Sequence, residues 1–127
     1  VSSFKTYISS IRNVPEGQSI GYGRKSYTTR SSRIAVIPVG YADGLNRHLS
    51  NRVGNVFIKG KRVPIIGNIC MDTCMIDITG IDAREGDTVT IFGDGATVIE
   101  MAEALGTIPY EIMTSVSTRV KRVYTKE

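Results

Sequence analysis

Arg33-Ile34-Ala35-Val36-Ile37-Pro38-Val39 is a short, nearly continuous apolar run. A run of this length reads as a buried strand. Pro38 removes one ladder donor, which places it at an edge or a bulge. On the N-terminal side, Phe4 to Val14 mixes β-branched and aromatic residues with polar ones and ends at the turn signal Pro15-Glu16-Gly17. Ser19 to Thr29 is a second extended stretch, with Gly21-Tyr22-Gly23 inside it.

On the C-terminal side, Tyr41 to Asn51 is rich in turn formers and reads as a loop. Asn55 to Lys59 and Arg62 to Ile66 form a hairpin around Lys59-Gly60-Lys61, Cys70 to Thr79 is a further strand, and Asp87 to Phe92 alternates cleanly after a turn at Asp82 to Gly86. Thr97 to Leu105 breaks the pattern. Thr97-x-x-Glu100 has the form of a capping box, Val98, Met101, Ala102 and Leu105 share one helical face, and Gly106 suits the C′ position. A second short helix is expected from Pro109, whose missing N–H costs nothing at the first helical position. Arg119 to Tyr124 returns to strand. With about eight strands and one or two short helices, the chain is expected to be mainly β and to form a small closed β-barrel or a sandwich, since closure removes exposed edges.

The 127 residues, 41% apolar and 22% charged, form a single domain spanning residues 1–127. No run of about 18 apolar residues exists, so a membrane helix is not expected. Two cysteines and one histidine supply neither a disulfide framework nor a zinc site, and no metal is expected. Sixteen Lys+Arg against 12 Asp+Glu give a net charge of +4, enough to favour a small anion. The basic residues do not cluster as a nucleic-acid surface requires, and no nucleic-acid partner is expected. The start at Val1 without a signal-peptide pattern is read as a piece of a longer, cytoplasmic protein.

Four clusters bear chemistry. In Gly21-Tyr22-Gly23-Arg24 a phenol flanked by glycines is free to face a cleft, or is an aromatic strand residue beside a bulge. Gly40-Tyr41-Ala42-Asp43-Gly44, with Arg47 beyond, is a tight turn or a binding loop. In Gly67-Asn68-Ile69-Cys70-Met71-Asp72, polar residues flank an apolar triplet, which reads as an edge bulge or a ligand contact. Cys70 and Cys74, four apart, would share one face of a strand as a buried pair of thiols. In Ile108-Pro109-Tyr110-Glu111 a phenol sits at a helix start, where it either packs on the sheet or shares an anion with free N–H groups. His48 reads as a solvated loop residue.

Taken in order, these pieces, together with Phe4-Lys5-Thr6, Ile37-Pro38-Val39, Gly86-Asp87-Thr88-Val89 and Arg119-Val120-x-Arg122, resemble the C-terminal domain of the alanine racemase family. The resemblance runs along nearly the whole chain. It implies a partner (β/α)8 barrel that carries pyridoxal 5′-phosphate on a lysine, and a head-to-tail homodimer. Each site then joins one subunit's barrel to the other's C-terminal domain. The implied reaction interconverts L- and D-alanine for peptidoglycan. Inversion at a planar carbon needs a proton-transfer group on each face, and by motif Tyr22 is the one opposite the lysine. Tyr41 and Arg47 match the substrate entrance, Met71 and Asp72 match positions near the substrate carboxylate, and Tyr110 matches the tyrosine on the cofactor phosphate. Asn68 stands where many members have Arg, Gly21 where Ser is common, and Thr118 and Lys121 where Tyr and Pro are common. The lysine motif lies outside this sequence, so the isolated chain is expected to fold without racemising. Two other readings are a racemase of broader or different amino-acid specificity, and a non-catalytic small barrel that binds a partner.

Overall fold

β-branched and alternating stretches build nine strands among the described residues, which are 3–17, 19–20, 26–27, 31–93, 95–116 and 120 of a computed structural model. They are β1 (Phe4–Tyr7), β2 (Ser10–Val14), β3 (Ser19–Ile20), β4 (Ser26–Tyr27), β5 (Ser32–Ile37), β6 (Asn55–Ile58), β7 (Lys61–Ile66), β8 (Cys74–Asp77) and β9 (Thr88–Phe92). Seven of them form one antiparallel sheet in the order β1-β9-β6-β7-β8-β5-β2, while β3 and β4 pair with each other.

The two edge strands of the large sheet are successive pieces of one segment. It bends at Ile8–Ser9, where the Ile8 N–H donates to Asp87 O at 3.0 Å on one side and the Ser9 N–H to Val36 O at 2.9 Å on the other. The sheet therefore curls until one segment serves both ends, which is the closure that a short, strand-rich chain needs. Phe4 and Phe92 meet edge to face at 5.8 Å across the β1–β9 pair.

The inside of the curl is a single apolar cluster rich in isoleucine: Ile8, Ile37, Ile58, Ile65, Ile76, Ile78 and Ile91 are each 0–1% exposed. Each such side chain contributes roughly 1.5–3 kcal/mol by leaving water. The Lys59-Gly60 turn between β6 and β7 has both residues at positive φ (51° and 76°), the primed hairpin geometry that matches strand twist.

Several local expectations change in the folded chain. Pro38 lies just beyond β5, which is interior to the sheet, so the proline ends a central strand and sits exposed rather than marking an edge. β8 begins only at Cys74, because the Cys70 N–H turns back to Thr73 O at 3.0 Å. Cys70 is thus on a loop, and the two thiols share no strand face.

The first helix, α1 (Gly95–Leu105), starts before Thr97, so the capping box does not form. Thr97 Oγ1 accepts the Gly93 N–H at 2.8 Å, and the Glu100 carboxylate is taken by Arg62 of β7 at 2.7 and 2.9 Å. A charge-assisted pair with a neighbouring strand outcompetes the local cap. α1 ends as expected: Gly106 is left-handed (φ 69°), the Thr107 N–H reaches Ala102 O and the Gly106 N–H reaches Glu103 O. The second helix, α2 (Pro109–Thr114), has proline at its start. The expected strand at 119–124 lies outside the described residues save for residue 120.

Candidate functional site

Beyond β5 the chain makes a 3-10 turn at Tyr41–Asp43, between an extended Gly40 and a left-handed Gly44. Asp43, 9% exposed, turns its carboxylate inward, where Oδ2 accepts the Gly40 N–H at 2.9 Å. The turn is thereby locked from within, and its tyrosine is left 43% exposed. A second 3-10 turn, Arg47–Leu49, is capped by Asn46 Oδ1, which accepts the His48 N–H at 2.9 Å, and is pinned to the core by Leu49. This second turn sets the Arg47 guanidinium 5.3 Å from the centre of the Tyr41 ring. Such stacking contributes about 0.5–1 kcal/mol at an exposed site and holds both side chains in one place.

The loop at 67–73 is sewn onto these turns. The Tyr41 N–H donates to Cys70 O and the Ala42 N–H to Met71 O, both at 3.0 Å. Gly40 allows that approach, since a methyl group there would overlap the carbonyl oxygens of Cys70 and Met71. From the other side, Ser50 Oγ accepts the Ile69 N–H at 2.9 Å and the Asn51 N–H reaches Gly67 O at 2.9 Å. Asn51 and Arg52 are both left-handed (φ 57° and 69°), a conformation that costs on the order of 1 kcal/mol or more for each non-glycine residue. It is held by the Arg52 N–H on Ile65 O at 2.7 Å, by Asn51 Nδ2 donating to Asn68 Oδ1 at 3.0 Å, and by Arg52 on Asp77 at 3.1 Å.

Asp77 is buried on β8. Burial pushes its carboxyl up, yet the bonds from the Thr79 hydroxyl and N–H and the Arg52 guanidinium outweigh it and hold the carboxyl below its ordinary value. Burial, then the neighbouring Cys70, pushes the Cys74 thiol up to about 12, which makes it inert at neutral pH.

The expected residues are therefore partly gathered. Tyr41 and Arg47 touch, and Met71 and Asp72 sit on the loop bonded to the Tyr41 turn. Met71 is 52% exposed, and among the described residues its N–H has no acceptor. An open depression of about 640 Å³ is bordered by Tyr41, Asn46, Arg47, His48, Asn51 and Asn68, so the one histidine lines the same recess as Arg47. Tyr110 is 69% exposed on α2, whose last turn runs against Gly44: a methyl there would come within 2.6 Å of Ser115 O. Tyr22 lies outside the described residues, two positions beyond β3 in sequence. No His, Cys, Asp and Glu grouping fit for a metal ion occurs among the described residues, and no helix there is long and apolar enough to cross a membrane.

Sequence inspection passed over Asp43 and Ser50 as functional residues. Asp43 carried a signal, an acid three residues after Gly40 in a turn. Ser50 carried none, because its bond spans 19 residues.

Residues 1–124 match the profile of the alanine racemase C-terminal domain. The chain is 50% identical over 127 residues to alanine racemase 2 of Caldanaerobacter subterraneus subsp. tengcongensis, with 96% of this chain and 32% of that protein covered. It is 47% identical over 127 residues to alanine racemase of Methanococcus maripaludis, covering 96% of this chain and 34% of that one. Among solved structures it superposes on alanine racemase of Bartonella henselae with covalently bound pyridoxal phosphate at TM-score 0.90 and 36% identity, covering 97% of this chain and 34% of that one. The alanine racemase of Clostridium difficile 630 gives 0.89 and 43%, covering 97% and 32%. The chain thus spans about a third of the length of these relatives. With a profile matched over nearly its whole length and a mainly β sheet like that of its structural neighbours, the chain belongs to the alanine racemase C-terminal domain family.

Proposed function

We propose that this domain is the C-terminal part of a pyridoxal-phosphate-dependent alanine racemase, interconverting L- and D-alanine for peptidoglycan in a cytoplasmic homodimer. The observation that carries the reading is the 50% identity to an alanine racemase along 96% of the chain. The exposure of Tyr41, Met71 and Tyr110 supports it, since side chains that serve a site shared with another domain must face outward.

The described residues fit an edge of such a site rather than its whole. Tyr110 offers an exposed phenol O–H suited to a phosphate oxygen, and Met71 offers an N–H without an acceptor among the described residues, suited to a carboxylate. The cofactor, when bound, supplies the electron sink that makes the substrate α-proton removable. This chain's residues do the rest of their share. The Met71 N–H binds and orients the substrate carboxylate, with Asp72 next to it in the same loop. Tyr41, steadied by Arg47, narrows the entrance. Tyr22 moves a proton at its phenol oxygen, on the face opposite a lysine of the barrel domain. A phenol with an ordinary pKa near 10 is a poor base at neutral pH, so Tyr22 needs a cationic neighbour to do this.

The test is the full-length protein with pyridoxal phosphate, assayed for D-alanine formed from L-alanine. Turnover is expected, and Tyr22→Phe should lower it by roughly 10²–10⁴-fold. Absence of turnover, or an unaffected Tyr22→Phe, overturns the proposal.

A further inference from the structure

Resting on that reading, we propose that Ser50 is a positioning residue that sets the Met71 N–H and Arg47 relative to each other for substrate binding. Ser50 is 9% exposed and bonds in two directions: its N–H donates to Arg47 O at 3.0 Å and its Oγ accepts the Ile69 N–H at 2.9 Å. The backbone of Ser50 closes the turn that carries Arg47, and its side chain ties the end of that turn to the loop that carries Met71. Ile69, 2% exposed, is fixed in the core, and Met71 follows two residues later.

Neighbouring ties do not replace this one. Asn51 holds the loop earlier, at Gly67, while Tyr41 and Ala42 hold it later, at Cys70 and Met71. Between these anchors the Ile69 amide relies on a side-chain oxygen. Without it a buried N–H is left unsatisfied, and the loop must shift to find an acceptor. The stretch leading to Met71 then shifts against the turn that carries Arg47, with only its far end still held by Tyr41 and Ala42. Tyr22 is on a different stretch of chain, so binding should suffer more than proton transfer.

The experiment uses the full-length enzyme. For Ser50→Ala, KM for alanine should rise about tenfold, with kcat within about threefold of the unsubstituted enzyme. The inhibition constant of propionate, a carboxylate lacking the amine, should rise in parallel. Ser50→Thr, which keeps an oxygen acceptor, should restore both. Should Ser50→Ala fail to fold, Ser50→Cys, whose sulfur accepts weakly, carries the same expectation. A fall in thermal stability with KM and propionate binding unchanged means that Ser50 is merely structural and overturns the proposal, as does an equal loss in kcat alone. Absence of alanine turnover in the unsubstituted enzyme refutes the functional reading and this proposal together. Turnover with an unchanged KM in the variant refutes only the role of Ser50.

Discussion

Gly40→Ala tests how closely the two loops must approach. Gly40 is extended (φ −147°, ψ −165°), so alanine suffers no backbone strain there and any cost is contact alone. The added Cβ would lie 2.5 Å from the Met71 carbonyl carbon, where ordinary contact begins near 3.4 Å, and nearer still to the carbonyl oxygens of Cys70 and Met71. The loops must part by about 1 Å. The bonds from Tyr41 and Ala42, now 3.0 Å, would lengthen to about 4 Å and be lost. At about 1 kcal/mol each, the two together cost about 2 kcal/mol. For a chain of this size that lowers Tm by about 8 °C. The assay is thermal unfolding by circular dichroism, with Gly60→Ala as the contrast. Gly60 has open space around it but φ at 76°, so its cost of about 1 kcal/mol is conformational. A loss below about 0.5 kcal/mol in Gly40→Ala would refute the close-approach argument.

Other expectations concern charge, thiols and the cofactor. Arg52→Ala should cost about 1–2 kcal/mol in urea unfolding, above the usual surface pair, because it takes a cationic partner from a buried carboxylate. The folded Asp77 carboxyl lies below its ordinary 3.8, so its stabilising share is present above that pH and fades as pH falls below it; Asp77→Asn should flatten that part of an acid titration. Cys74 behaves in the opposite sense. Its folded value is raised from 9.0 to about 12, so stability is full below pH 9 and falls between 9 and 12, a slope that Cys74→Ala should remove from urea midpoints measured across that range. Under native conditions a thiol reagent should modify the half-buried Cys70 and spare Cys74 until the protein unfolds, as mass spectrometry would record. In the full-length enzyme, Tyr110→Phe should weaken cofactor retention on dialysis, read from the absorbance of the bound coenzyme.

Much of the fold was legible because its signals are local. The β6–β7 hairpin follows from Lys59-Gly60, and the end of α1 from Gly106, where a few adjacent residues decide the backbone. Signals failed where distant partners intervened. Thr97 and Glu100 have the spacing of a cap, but Arg62 reaches Glu100 from another strand. Cys70 has the character of a strand residue, yet its N–H is spent on Thr73. The candidate site divides in the same way. Tyr41, Arg47 and Met71 belong to compact motifs, whereas nothing near Ser50 in sequence announces its bond to Ile69, and the pairing of Arg52 with Asp77 needs the left-handed turn at 51–52 to exist first.

The shared edge segment has a consequence for biosynthesis. Phe4–Tyr7 pairs with Thr88–Phe92, so the first strand of this sheet to be synthesised waits for the last before finding that partner. Pairings of such long range make folding slow. During that wait Phe4 and Ile8, later sealed inside, stay open to water, so the nascent chain should engage chaperones until residue 92 has emerged.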